Sequence, residues 1–253
     1  MKLTDNTVFI TGGTSGIGRG LAEAFHKLGN KVIIAGRRKA LLDEVTRANP
    51  GMDAIELDIS NPDSIAQVSK TLIERYPSLN VVINNAGIMP FDDAAGRIDD
   101  QTTDAIIATN LLGPIRLTSA LIDQLKSQPR SVIIHNTSVV AYVPLASNAV
   151  YSATKAALHS YALSQRFALR DTSVSVQEIA PPWVNTDLIH KSDDPRAMPL
   201  DAYIEQTMAG LATDIPEVVV ASIQAARDNP GSQEHAMVHA LNQSFVDNPV
   251  PMA

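Results

Sequence analysis

Short apolar runs rich in valine and isoleucine alternate along this chain with longer stretches whose apolar residues recur at helical spacing. Val8-Phe9-Ile10, Val32-Ile33-Ile34, Ala54-Ile55-Glu56-Leu57, Val81-Val82-Ile83, Val132-Ile133-Ile134 and Val174-Ser175-Val176 read as six strands. Most are apolar at nearly every position instead of every second one, which suits a parallel sheet covered on both faces. Between them the spacing predicts helices at about 17–29, 39–48, 62–76, 98–127 and 150–170. Repeated strand–helix alternation implies right-handed crossovers and an α/β, doubly wound, mostly parallel sheet with helices on both faces. Two more helix-length stretches follow near 199–211 and 215–228, with Pro216 placed for a first turn. The last 25 residues show no clear period, and Pro249 and Pro251 predict an extended tail.

Composition narrows this picture. No Pro/Gly/Ser-rich linker and no repeat divides the 253 residues, so one domain over 1–253 is expected. At 45% hydrophobic, the chain can bury a large core. The absence of cysteine excludes disulfides, thiolate catalysis and zinc–thiolate sites, and no metal site is expected. A net charge of −7 gives no electrostatic footprint for nucleic acid or an anionic membrane. The N-terminal residues run straight into the first strand without a signal-peptide core. No uninterrupted apolar run approaches the ~18 residues of a membrane span. The expected location is cytoplasmic.

The first chemical signal follows the first strand. In Thr11-Gly12-Gly13-Thr14-Ser15-Gly16-Ile17-Gly18 the glycines permit a tight turn and a close backbone approach to a pyrophosphate at a helix N-terminus. The second strand closes Ile34-Ala35-Gly36-Arg37-Arg38, with no acid until Asp43. An NAD site usually carries an acid there for the ribose 2′-hydroxyl, whereas a 2′-phosphate wants arginine. Arg37 can fork onto a phosphate, assisted by Arg38 or Ser15, so NADP(H) is the expected cofactor. The alternative reading of Arg37-Arg38-Lys39 is a solvated first turn of the next helix.

The second signal is Tyr151-Ser-Ala-Thr-Lys155, with Ser138 upstream. On a helix, positions i and i+4 share a face, which brings the Lys155 ammonium near the Tyr151 phenol. A cation about 4 Å away at an effective dielectric of ~20 favours the phenolate by up to ~4 kcal/mol. That predicts a phenol pKa pulled from ~10 toward working pH, where acid–base catalysis is efficient.

Gly12, Gly16 and Gly18, Asn84-Asn85-Ala86-Gly87, Asn110, Ser138 and Tyr151-x3-Lys155, in that order over roughly residues 5–190, resemble the short-chain dehydrogenase/reductase family. The resemblance implies a single-domain Rossmann fold with a small helical substrate lid, about 187–213. It implies Tyr151 as general acid or base, Ser138 as a hydrogen-bond donor to the substrate oxygen, and Lys155 on the nicotinamide ribose. Asn110 would hold a water in a proton relay. Cofactor contacts would come from Gly12, Thr14, Ser15, Gly16, Ile17 and Gly18, from Asp58 and Ile59 at the adenine, and from Asn85, Ala86 and Gly87 at its ribose. Pro181, Val184 and Thr186 match the segment that holds the nicotinamide carboxamide. Asp58 as a strand end and Thr186 as an ordinary loop threonine stay open as alternatives. Pro181-Pro182-Trp183 replaces the family's usual Pro-Gly, which predicts a stiffer loop. Ala197-Met198-Pro199-Leu200-Asp201 resembles the DltE-like branch, associated with D-alanylation operons.

Met89, Phe91, Val140, Tyr142, Val143, Leu145 and Trp183, with Met198 and Tyr203 above, are expected to line an apolar substrate pocket, and His190, Lys191 and Arg196 to sit in the lid. Together these readings point to an NADPH-dependent carbonyl reductase, reversibly an alcohol dehydrogenase, acting on an apolar ketone or aldehyde. A homodimer or homotetramer is expected. A nucleotide-sensing regulator, and an epimerase or dehydratase on the same residues, are the competing readings.

Overall fold

The computed structural model describes residues 1–189, 194–229, 231 and 233–248. His190, Lys191, Pro249 and Pro251 lie outside them. The chain runs β1 Thr7–Thr11, α1 Gly16–Lys27, β2 Lys31–Gly36, α2 Lys39–Ala48, β3 Asp53–Glu56, α3 Pro62–Arg75 and β4 Leu79–Asn84. It continues through α4 Asp100–Ile107, α5 Gly113–Ser127, β5 Ser131–Asn136, α6 Ala149–Ala168, β6 Val174–Ala180 and α7 Leu200–Leu211. β7 Glu217–Val219, α8 Gln224–Arg227 and α9 Glu234–Asp247 complete it. Among the described residues the strands form one sheet, ordered β3-β2-β1-β4-β5-β6-β7, and every pairing is parallel.

The continuous apolar runs are explained by two cores. Alternate strand residues point to opposite faces of the sheet. Phe9, Ile33, Val82, Ile133 and Val176 meet Val68 and Leu72 of α3 and Leu117, Leu121 and Leu125 of α5. Their neighbours Ile10, Ile34, Ile83 and Ile134 meet Leu21 and Phe25 of α1, Leu42 and Val45 of α2, and Leu211 of α7. Strand order reverses between β1 and β4, which opens a crevice beyond their carboxyl ends, where a doubly wound sheet binds its ligands.

Two expectations need correction. The stretch 215–228 is not one helix: β7 adds a seventh strand to β6, Pro216 accepts a hydrogen bond from Glu178 through its carbonyl, and only Gln224–Arg227 is α-helical. The β-branched run Val218-Val219-Val220 favours an edge strand over a helix. The helix foreseen at 98–127 is interrupted by a π turn at Ala108–Leu112. Taken whole, Asp100–Ser127 is long and apolar enough to cross a bilayer. Yet Ile106, Leu117, Leu121 and Leu125 are fully enclosed, and α5 packs on the sheet as a core helix.

α7, which falls within the expected lid span of about 187–213, packs against α1. Gly20 of α1 has no side chain where Ile204 of α7 sits, and Tyr203, Thr207 and Leu211 are buried. The unassigned C-terminal stretch supplies α9. Its Asn242 accepts a hydrogen bond from Ala146 N–H and donates one to the Pro144 carbonyl.

Candidate active site

A cleft of about 640 Å³ lies at the strand-order reversal. Its floor is the glycine turn. Gly12 has φ +68°, a left-handed conformation that glycine adopts without penalty, and a Cβ there would lie 2.9 Å from Ala86 Cα. At Gly18 a Cβ would enter the space of the Gly12 carbonyl and the Asn85 amide. Asn85 fastens the turn to the end of β4, donating to the Thr11 carbonyl at 2.9 Å and the Gly12 carbonyl at 3.3 Å. The Thr11 hydroxyl oxygen accepts from the N–H groups of Asn85 and Ala86, each at 3.0 Å. Ser15 begins α1 without a side-chain cap, and no acid stands in its first turn. The orphan N–H groups there suit an anion.

Arg37 and Arg38 line one end of the cleft, exposed, with an Arg38 guanidinium N–H 3.5 Å from the Thr14 hydroxyl. Asp58 lines it too, while its Oδ1 accepts from Ser60 N–H at 3.0 Å and Ser60 Oγ–H at 2.6 Å. It thus ends the turn after β3 and also faces the cleft. Thr14, Ile17, Ile59, Ala86, Gly87, Pro181 and Thr186 complete the expected lining. Thr186 stands across from Gly16, 3.2 Å from where a Cβ would project. Val184 is buried beside the cleft, paired in a short bridge with Met198.

Tyr151 and Lys155 lie in the first turns of α6, both buried in the cleft wall. The Lys155 ammonium sits 5.5 Å from the centre of the Tyr151 ring and donates to the Asn136 carbonyl at 2.7 Å. Burial lowers the Lys155 pKa from 10.5 to about 8. Burial likewise pushes the Tyr151 phenol above its ordinary value, and the nearby Ser138 hydroxyl opposes that rise only in part. The expected lowering by the lysine is therefore overturned. Desolvation dominates, and the phenol keeps its proton at neutral pH. Ser138 caps the short helical turn Val139–Ala141, accepting from Val140 N–H at 3.3 Å.

Asn110 occupies the π turn between α4 and α5, almost wholly buried. Its side chain grips Ile88 twice, accepting from the N–H at 2.9 Å and donating to the carbonyl at 2.8 Å. Pro114, four residues on, has no N–H, so the Asn110 carbonyl loses the donor an α-helix would supply. π turns of this kind occur often at functional positions.

The residues expected to line a substrate pocket have differing surroundings. Met89 lines the cleft, while Val140, Tyr142, Val143, Trp183, Met198 and Tyr203 do not. Val140, Val143 and Tyr203 are buried. Tyr203 centres an apolar cluster with Ala180, Val184, Val220 and Ile223, and Tyr142 and Met198 pack against it. Phe91 points outward, exposed. The Tyr142 hydroxyl donates to Glu217, which with Glu178, His159, Arg166 and Arg227 forms an ion network behind α6. His159, Glu178 and Glu217 converge closely enough for a cation. Each carboxylate already faces a guanidinium, however, so the charges balance without one.

The family model for short chain dehydrogenases matches residues 6–197. The chain belongs to the short-chain dehydrogenase/reductase family. This oxidoreductase is 38% identical over 248 residues to the uncharacterized oxidoreductase DltE of Bacillus subtilis strain 168, covering 96% of this chain and 98% of that one. The likeness extends to the DltE-like branch. A short chain dehydrogenase from Burkholderia cenocepacia J2315, solved with NADP, superposes with a TM-score of 0.83 at 27% identity, over 96% of this chain and 99% of that one. A Burkholderia phymatum enzyme of the same family, solved with NAD, shares the fold at a TM-score of 0.81 and 19% identity, over the whole of both chains.

Sequence reasoning passed over one cleft residue of this oxidoreductase with three ties to the site. Asn136 ends β5, gives its carbonyl to Lys155 and donates its amide to Asn85 Oδ1 at 2.8 Å. Its own Oδ1 is buried at the cleft wall with no partner among the described residues. The available signal was its place two residues before Ser138 at the carboxyl end of a central strand.

Proposed function

We propose that this oxidoreductase is an NADPH-dependent carbonyl reductase, reversibly an alcohol dehydrogenase, for an apolar ketone or aldehyde. The reading rests above all on the buried Tyr151 phenol in the cleft wall, one helical turn from Lys155 and beside the glycine turn. The cleft fits a dinucleotide: a side chain at Gly18 would push apart the Gly12 turn and Asn85, the α1 N–H groups lack a side-chain cap, and Asn136 Oδ1 waits for a donor. The Gly12–Gly18 turn would hold the pyrophosphate, and Arg37 with Arg38 the 2′-phosphate. Asp58 and Ile59 would meet the adenine, Asn85 to Gly87 its ribose, Lys155 and Tyr151 the nicotinamide ribose, and Pro181, Val184 and Thr186 the carboxamide. When bound, NADP(H) supplies or accepts the hydride.

The chain's own residues handle the proton. Tyr151, protonated at neutral pH, delivers it to the carbonyl oxygen as charge develops there, and Ser138 donates a second hydrogen bond to that oxygen. Lys155 exchanges its bond to the Asn136 carbonyl for the ribose hydroxyls and stabilises the phenolate left behind. The Asn110 carbonyl, short of its helical donor, accepts from a water that returns a proton toward Lys155. A homodimer or homotetramer belongs to the same reading, favoured by the exposed Leu163 and Phe167 on α6.

The deciding measurement is absorbance at 340 nm with NADPH and, separately, NADH against a panel of apolar ketones and aldehydes. NADPH loss in step with alcohol formation is the expected result. Nucleotide binding without turnover across the panel would favour a sensor or a recycled-cofactor enzyme, and no binding of either nucleotide would end the dinucleotide reading.

A further inference from the structure

The catalytic helix does not cap itself. Asn148 precedes the first turn of α6, the position from which an Asn side chain usually accepts from the helix N–H groups. Here it makes no such bond: its amide donates to the Pro90 carbonyl at 2.9 Å, and its Oδ1 accepts from the Ser147 hydroxyl. The cap comes from the loop after β4. Asp92 accepts from Ala149 N–H through Oδ1 and from Val150 N–H through Oδ2, each at 2.9 Å. Its own N–H donates to the Ser147 carbonyl at 3.0 Å. The carboxylate meets the positive end of the α6 dipole and satisfies two of its orphan donors.

Tyr151 is the very next residue, so the first turn that Asp92 fixes is the turn that aims the phenol. The same loop is gripped at its other end by the Asn110 side chain through Ile88. Between these clamps, Met89 and Pro90 form part of the cleft wall. We infer that Asp92 is a positioning residue for Tyr151, keying the helix that carries the phenol to the π turn that carries Asn110. Asp92 touches no reacting atom, and its effect on turnover rests on the reductase reading above.

The test compares Asp92→Ala, Asp92→Asn and the neighbouring Asp93→Asn with the full-length wild-type protein. Asp93 is exposed and its carboxylate caps only Ala95, so Asp93→Asn removes the same charge without touching α6. Asp92→Ala is expected to lower kcat by about tenfold to a hundredfold, the range that a small misplacement of a reacting group produces, with KM for NADPH unchanged within about twofold. Asp92→Asn keeps one acceptor and should recover most of that loss, and Asp93→Asn should match wild type. Amide hydrogen exchange supplies a readout that needs no turnover: in Asp92→Ala, Ala149 and Val150 should exchange about tenfold faster, with the central strands unchanged.

Wild-type kcat in Asp92→Ala would overturn the inference. So would an equal loss in Asp93→Asn, or a loss matched by faster exchange throughout the sheet. If the wild-type protein reduces no carbonyl, the reductase reading fails separately. Exchange then decides alone: unchanged protection at Ala149 and Val150 refutes the clamp, and faster exchange confined to the first turn upholds it. Should Asp92→Ala fail to fold, exchange in Asp92→Asn decides: faster exchange at Ala149 or Val150, whichever loses its acceptor, upholds the clamp, and unchanged protection at both overturns it.

Discussion

Lys155 holds a positive charge where water hardly reaches, and its pKa of about 8 records the cost of doing so. In the unfolded chain the same amine titrates near 10.5. Between those values the unfolded state binds a proton that the folded state has released, so this group makes stability rise with pH across that window. Below about 8 both states are protonated and the folded state bears the full penalty. Lys155→Met should therefore stabilise the nucleotide-free protein at pH 7 by up to about 3 kcal/mol, less about 1 kcal/mol for the lost bond to Asn136. The gap to wild type should close as pH climbs from about 8 to 10.5, and turnover should vanish throughout. Thermal melts from pH 6 to 10.5 check this, and a lower Tm for the variant at pH 7 would contradict it.

At the same scale, Arg37→Ala should raise KM for NADPH about tenfold to a hundredfold, the worth of one or two charge-assisted hydrogen bonds. KM for NADH should hardly move, and an equal change with both nucleotides would refute a phosphate role. Tyr151→Phe should abolish turnover while calorimetric affinity for NADPH persists. Individual residues were legible in their placement, Gly18 in a tight turn and Tyr151 and Lys155 one helical turn apart in the cleft wall. The phenol's acidity was not. A cation four positions along a helix can be counted in a sequence, but the desolvation that outweighs it exists only once the sheet and α6 enclose both groups.

Among the elements, α6 carries chemistry on one side and an ion network on the other. A hydrogen bond to Glu178 raises the His159 pKa above its usual 6.5. The folded state then holds a proton that the unfolded chain has lost, so His159 contributes stability fully below about 6.5 and loses it as pH rises through its raised value. His159→Gln should depress Tm more at pH 5.5 than at pH 9, and a pH-independent difference would show that the imidazole's charge is idle there. In the glycine turn, Gly18→Ala should cost about 1–3 kcal/mol of stability through overpacking against Gly12 and Asn85, and should weaken nucleotide binding, both measurable by melts and titration. Six strands were legible because four carry three consecutive apolar residues and the other two, Ala54-Ile55-Glu56-Leu57 and Val174-Ser175-Val176, are broken by only one polar residue. β7 was missed because it is short, follows a proline equally suited to a helix start, and owes its conformation to pairing with β6. The π turn was hidden because nothing local marks it apart from Asn110 and Pro114.

In the whole molecule, labour is divided across the sheet. The glycine turn, Arg37, Arg38 and Asp58 belong to β1, β2, β3 and the segments that follow them, whereas Asn110, Ser138, Tyr151 and Lys155 all come after β4. The substrate side was the least legible region, since a buried valine or tyrosine reads alike as core or pocket until packing assigns it, and packing placed Tyr203, Tyr142 and Met198 in one apolar cluster. The reversal of strand order has a further consequence. Because the two sets of residues meet only across a crevice, they are in principle interchangeable parts. On the proposed reductase reading, a chimera in which residues 31–60 come from an NAD-using relative should switch its nucleotide yet keep its range of carbonyls, so a lineage could change its reductant without relearning its chemistry.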